Sequence, residues 1–412
     1  MVSSGPVHFT ILVPTRNRAD TLAYCLASLT AQDYPHLSVI VSDNKSVDQT
    51  REVVEDIGDP RVKYVSPPQS LSMRDNWEFA LSHVQGGWVS VLGDDDGLAP
   101  GALELVARVI EKHKVDAVTS SWCRYTWPGD GLGHANKMIL PFGSGVQIRD
   151  ANVWQQRVLS GAWRYIELPY LYTGGFVHKN VIDRLAASGS RFFNSVIPDV
   201  YSALAISCFV EKYAFICDPI AVRGTSSHST GASSFQASAN QKPKLDFMND
   251  NLAFIHPLLR DESLPMSTHL FVYEAYLQVS RIIGNTAEEE AVADVRRQLA
   301  ITSTLAKKRE RAVIRDYETS VLSRTGSSRP LSLKEKVWAC WLVRWVYLLV
   351  EVKRVLNSAL IDMSQLGIRD VFAASIAARA MHWQARHCGF RRTRRIWESV
   401  LVCSGVKRRF RP

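Results

Sequence analysis

Short apolar runs alternate with amphipathic helical stretches through the first 120 residues, and few folds accommodate that rhythm. His8–Val13, Leu37–Ser42, Arg61–Val65, Trp88–Leu92 and Val115–Thr119 read as strands. Between them, Asp20–Ala31, Val47–Asp56, Arg74–His83 and Gly101–Lys112 read as helices. The alternation predicts an α/β fold, a mostly parallel sheet with helices on both faces. Apolar strands without alternation suit the middle of such a sheet. Its ligands bind beyond the carboxyl ends of the strands. The loops there are Pro14-Thr15-Arg16-Asn17, Asp43-Asn44-Lys45-Ser46, Ser66-Pro67-Pro68 and Gly93-Asp94-Asp95-Asp96-Gly97, so polar groups collect at one end of the expected sheet.

Three consecutive aspartates after an apolar strand concentrate like charge, which a cation or hydrogen bonds must offset. Hard divalent ions such as Mg²⁺ take carboxylate oxygens and leave positions for phosphate. Asp94, Asp95 and Asp96 are therefore candidates for a metal–diphosphate site. The competing reading is a solvated acidic turn that caps the helix starting near Pro100.

Further along, Pro169–Val177 ends in a strand, Lys179–Ala187 and Val200–Val210 read as helices, and Tyr213–Cys217 is another strand. Gly224–Gln241 is dominated by Ser, Thr, Gly and Ala and reads as a mobile loop. From Leu245 onward the pattern is helical, with a hinge expected at Gly326–Pro330. The expected organisation is a first domain over 1–240, a helical extension over 241–330 and a basic, amphipathic helical region over 331–412.

Charge divides the chain the same way. Residues 331–412 hold 16 basic and 5 acidic side chains, whereas the whole chain carries only +9, so the remainder is nearly neutral. This suggests chemistry in front and attachment to something anionic behind. Seven scattered cysteines without a Cys-x-x-Cys pair point to reduced thiols in a cytosol-facing protein. No export signal is apparent.

Four ordered pieces resemble glycosyltransferase family 2, whose members have the GT-A fold, over about residues 8–230. They are Ile11-Leu12-Val13-Pro14-Thr15-Arg16-Asn17-Arg18, Ile40-Val41-Ser42-Asp43-Asn44-Lys45-Ser46-Val47-Asp48, Ser72-Met73-Arg74-Asp75-Asn76, and Val91 to Leu103 around the three aspartates. The resemblance implies an inverting sugar transfer from a nucleoside diphosphate sugar, with Mn²⁺ or Mg²⁺ as cofactor. Pro14, Thr15 and Arg18 would line the nucleotide pocket. Asp43 would accept from a uracil- or thymine-type base, and Arg74 would reach the nucleotide or its phosphates. Asp95 would be the leading metal ligand, with Asp96 adjacent and Asp94 toward ribose or sugar. Gly93 stands where the family's usual first Asp falls.

An inverting transfer needs a carboxylate to take the acceptor's proton. Asp199, after Pro198 at a helix start, is similar to the family's base position. The alternative is a first-turn acid stabilised by the helix dipole. Asp183 and Glu211 are weaker candidates. The segment from Asp218 to Ser229 resembles the family's closing piece, which implies diphosphate contact for Arg223 and a metal contact for His228. Trp122, Trp127, Trp163 and Tyr172 are candidates for stacking on acceptor sugars, or core residues. Gly174 and Gly175 would let backbone approach a sugar, or mark a tight strand entry.

Val337–Val352 is apolar, rich in Trp and flanked by Lys and Arg, which suits a helix lying at a membrane interface. The clusters Arg391–Arg395 and Lys407–Arg411 add attraction to an anionic leaflet. The expectation is a cytoplasmic protein, peripheral at the inner face of the membrane, acting on a glycan or lipid-linked acceptor in polysaccharide biosynthesis. No nucleic-acid reader motif is present in the sequence. The rival functions are a nucleotidyltransferase, which would want a glycine-rich loop after the first strand, and a non-catalytic sugar-nucleotide-binding protein.

Overall fold

The computed structural model describes residues 5–129, 135–189, 191–226, 252–325 and 331–388. Its first part follows the βα rhythm: β1 (Phe9–Thr15), α1 (Ala19–Thr30), β2 (Leu37–Asp43), α2 (Thr50–Asp56), β3 (Val62–Val65), α3 (Met73–Ser82) and β4 (Trp88–Val91). A two-residue β5 (Gly97–Leu98), α4 (Ala102–His113) and β6 (Ala117–Thr126) come next. β1 pairs in parallel with β2 and β4, and β2 with β3.

The later strands are β7 (Lys137–Pro141), β8 (Val146–Asp150), β9 (Phe176–His178), β10 (Lys212–Thr225) and β11 (Ser358–Asp362). They make the sheet mixed, in the order β11-β7-β6-β9-β4-β1-β2-β3, with β9 antiparallel to both neighbours. Helices α5 (Ala151–Leu159), α6 (Lys179–Gly189) and α7 (Pro198–Phe209) cover one face.

Side chains of a strand alternate between faces, so a strand buried on both sides feeds two cores. Phe9, Ile11 and Val13 of β1 enter the core beneath α1 and α4, while Leu12 enters the opposite one. α4 shows why these segments are helical. It starts after Gly101 (φ +74°), buries Leu103, Val106, Val109 and Ile110 at helical spacing, and ends on Lys112 and His113 against the negative dipole end. α3 starts at Ser72, whose hydroxyl accepts from the Asp75 backbone N–H at 3.2 Å. Helix Thr268–Ile283, the longest of the extension over 252–325, joins the α7 side of the core through Leu270, Phe271 and Tyr273.

Two features depart from the sequence reading. β10 continues past Cys217 to Thr225, crossing Pro219 by a register shift in its pairing with β6. A proline cannot donate to the ladder, so the strand survives there only as an irregularity. The region from 331, read as helical, also contributes a strand to the sheet. β11 pairs with β7, and helix Val371–Cys388 buries Val371, Ala374, Ala378 and Met381 against Tyr125, Met138 and Leu140. The expected hinge at Gly326–Pro330 and the basic clusters beyond 388 lie outside the described residues. Among the described residues, no helix is long and apolar enough to cross a membrane.

Candidate active site

β4 runs beside β1 and delivers the chain to a turn closed by the Asp96 N–H donating to the Gly93 carbonyl at 3.0 Å. The three aspartates of this turn are all buried, yet their carboxylates find different partners. Asp94 Oδ1 accepts from the Arg18 guanidinium at 2.8 Å. Asp95 Oδ2 accepts from the Ser226 hydroxyl at 2.8 Å and its N–H at 3.3 Å. Asp96 Oδ1 accepts from the Gly224 N–H at 2.7 Å, while Oδ2 accepts from the Thr173 hydroxyl and from the Gly93 N–H at 3.3 Å. Asp96, expected among the metal ligands, thus engages both oxygens with the chain's own donors and holds the turn in shape.

The extended end of β10 makes this closure. Ala221 and Val222 pair with Leu98 and Gly97 of β5, which lays Arg223 and Gly224 over the turn. A β-carbon on Gly224 would sit 1.8 Å from the Asp95 carbonyl oxygen, which also accepts from Trp127 Nε1 at 3.0 Å. Gly224→Ala is therefore expected to push β10 off the turn, lowering the melting temperature and weakening nucleotide binding together. Differential scanning fluorimetry with and without nucleotide measures both. Gly93 has a similar cause, since its added β-carbon would lie 2.6 Å from the Tyr172 hydroxyl and 2.8 Å from Asp96 Oδ2. The space that the family's first aspartate would need is taken by Tyr172 and Asp96.

Arg223 stands between the acidic turn and Asp199. It reaches Asp199 Oδ2 at 3.4 Å, and its guanidinium lies 4.6 Å from the Tyr172 ring centre and 5.1 Å from that of Trp122. Asp199 occupies the first turn of α7 behind Pro198, and its Oδ2 also accepts from the Tyr165 hydroxyl at 2.7 Å. The Asp183 alternative is exposed and paired with Lys179 on α6.

Burial dominates the protonation of the turn. It pushes Asp94 up to about 6, with Arg18 opposing and Asp95 adding repulsion. It pushes Asp96 up to about 7, with Asp95 adding and Arg223 opposing. Both carboxyls hold protons in the folded chain that the unfolded chain has released, so their contribution to stability falls as pH rises from about 4 to about 7. Asp94→Asn removes one share of this loss. The difference in melting temperature, variant minus wild type, is expected to grow by a few degrees across that window in metal-free buffer.

Crowded, buried carboxylates are what a hard cation relieves, and the donors are all oxygen, so the set fits Mg²⁺ or Mn²⁺. Among the described residues no three His, Cys, Asp or Glu side chains gather as a metal cage. The chain would supply one or two carboxylates, Asp95 first, and substrate oxygens the rest.

The other expected positions divide. Pro14 and Thr15 end β1, and Thr15 sits in register with Asp43 at the end of β2. Asp43 accepts from the Tyr64 hydroxyl at 2.6 Å and the Ser46 N–H at 2.9 Å; burial first, then Asp43, pushes Tyr64 up to about 12. Arg74, expected to reach the nucleotide or its phosphates, faces Asp75 at 3.2 Å and lies 3.8 Å from the Phe254 ring centre. Gly175 marks a tight strand entry, where a β-carbon would meet the Tyr170 carbonyl at 1.9 Å. Trp127 and Tyr172 are structural partners of the turn, and Trp163 packs on Trp154. His228 lies outside the described residues.

Residues 10–171 match the family model "Glycosyl transferase family 2". Over 96 residues the chain is 36% identical to the GalNAc(5)-diNAcBac-PP-undecaprenol beta-1,3-glucosyltransferase of Campylobacter jejuni, covering 23% of this chain and 31% of that protein. Over 103 residues it is 31% identical to the succinoglycan biosynthesis protein ExoO of Rhizobium meliloti, covering 25% of this chain and 29% of that one. The matches thus span under a third of those relatives' own length. A solved structure of TarS from S. aureus in complex with UDP-GlcNAc is similar at 15% identity and a TM-score of 0.46, covering 79% of this chain and 94% of the other. The glycosyltransferase family 2 match thus covers the part of the chain that builds β1 to β4 and the acidic turn.

Proposed function

We propose that the chain is an inverting transferase that moves a sugar from a nucleoside diphosphate sugar to a hydroxyl of a glycan or lipid-linked acceptor. The observation that carries the reading is Arg223, which contacts Asp199 and also lowers the protonation of Asp96, so the acidic turn and the lone carboxylate share one cluster.

In this reading Asp199 takes the proton of the acceptor hydroxyl as its oxygen bonds to the sugar's anomeric carbon. The bond from that carbon to the diphosphate breaks on the opposite face, and the nucleoside diphosphate leaves with the electron pair. Tyr165 orients Asp199 through its 2.7 Å hydrogen bond. Arg18 and Arg223 supply positive charge beside the departing diphosphate. When bound at Asp95, a divalent ion neutralises further charge on that leaving group. Asp43 at the end of β2 favours a UDP- or dTDP-type donor.

The name of the Campylobacter relative, with its glycan on PP-undecaprenol, supports a lipid-linked acceptor. The test is to incubate the protein with a lipid-linked glycan acceptor, a panel of nucleoside diphosphate sugars and Mn²⁺ or Mg²⁺, and identify both the nucleotide released and the linkage formed. Nucleoside diphosphate with an inverted anomeric linkage is expected. Release of sugar 1-phosphate in place of nucleoside diphosphate would indicate nucleotidyl transfer, which the glycine-free loop Pro14-Thr15-Arg16-Asn17-Arg18 disfavours.

A further inference from the structure

A long helix starts at a Ser332 capping box, runs over Leu333–Val337, passes a π-turn at Trp338–Leu342 and continues as Val343–Leu356. Its inner side is well held. Trp338 Nε1 donates to the Ser160 carbonyl at 2.9 Å, Ala339 and Val343 are buried with Ile301, and Glu351 accepts from Arg164 at 2.7 Å and Arg354 at 3.1 Å.

The outer side is apolar. Trp341 is 74% exposed, Trp345 68%, Leu349 68% and Leu356 77%, with Leu348 and Val352 exposed between them. These positions recur at steps of three and four residues, so they form one stripe along the helix. Exposed apolar residues scattered singly are ordinary, but a continuous stripe marks a contact surface.

The charges around the stripe select the partner. Lys334, Lys336, Arg344 and Lys353 are exposed, whereas the helix's two acids are engaged by the chain itself, Glu335 in the capping box and Glu351 on Arg164 and Arg354. Arg344 lies three residues after Trp341 and four before Leu348, so its aliphatic stem runs within the stripe. Apolar residues with tryptophans, ringed by cations alone, match an anionic bilayer surface. A second copy of this face would instead meet like charge. The helix is not apolar enough to cross a membrane.

We infer that this stripe is a docking face that inserts shallowly into an anionic lipid surface, with Trp341 and Trp345 among the headgroups. The face stands on its own geometry. What it gives the active site rests on the catalytic reading above: Arg164, which grips Glu351 of the docking helix, directly precedes Tyr165, which grips Asp199. The membrane contact and the base are thus joined through two consecutive residues.

The test is flotation of the full-length protein with phosphatidylcholine vesicles, with and without phosphatidylglycerol, comparing wild type and Trp341→Glu/Trp345→Glu. Wild type is expected to float only with the anionic vesicles, and the double variant to lose at least about tenfold in recovery at an unchanged melting temperature. Quenching of tryptophan fluorescence by brominated lipid should fall in parallel. Equal flotation of both proteins, or of neither, overturns the inference. So does a change from dimer to monomer in the variant, which would make the stripe a contact between copies. A lower melting temperature without lipid would also overturn it, by showing that the chain covers the stripe itself. Flotation needs no turnover, so a failed transfer assay would count against the catalytic reading alone.

Discussion

Asp199→Asn is expected to lower kcat for sugar transfer by about 10²–10⁴-fold while donor affinity stays within about twofold of wild type. The amide keeps the size of the carboxylate and can still accept from Tyr165, so the first turn of α7 keeps its shape. It cannot take a proton from an acceptor hydroxyl at neutral pH. Rate and affinity should therefore separate, and steady-state kinetics beside a direct donor titration would show it. A variant that transfers at near wild-type rate would remove Asp199 as the base and leave it as a first-turn acid of α7.

Asp95→Ala should fail differently, losing donor binding as well as turnover. The carboxylate is the leading candidate to present oxygen to a divalent ion, and Ser226 fixes it at the end of β10. Its carbonyl contact with Trp127 is a backbone contact and survives truncation, so the turn retains that anchor. We expect kcat/KM to fall by roughly 10³-fold or more, about 4 kcal/mol of transition-state stabilisation. The stabilisation of wild type by UDP with Mn²⁺, read as a rise in melting temperature, should largely vanish. Retained stabilisation by UDP with Mn²⁺ would assign the ion elsewhere.

The contrast between these variants reflects what a sequence can carry. β1 to β4 were legible because their apolar runs are short, continuous and separated by helical spacing. The acidic turn was legible because three like charges after a buried strand demand compensation. The compensation itself was not. Thr173, Ser226 and Tyr165 reach their aspartates across 77, 131 and 34 residues, and a hydroxyl has no sequence period.

The reading of Arg74 rested on family resemblance, and its packing was not legible: Phe254, far along the chain, provides a ring for it to lie on. β10 was cut short because Pro219 ordinarily ends a strand, yet its pairing resumes after a slip. β5 is too short to announce itself, and β8 is an edge strand with little apolar pattern.

β11 has a practical bearing on anyone who shortens this protein. Ending the chain at residue 330 to improve handling would strip five backbone pairings from Lys137–Pro141 and bare the apolar bed beneath Val371–Cys388. An open ladder beside a greasy hollow invites strands from neighbouring molecules. Precipitation, rather than any change in what the enzyme recognises, would be the first symptom, and a trimmed sample's silence in an assay would say nothing about its chemistry.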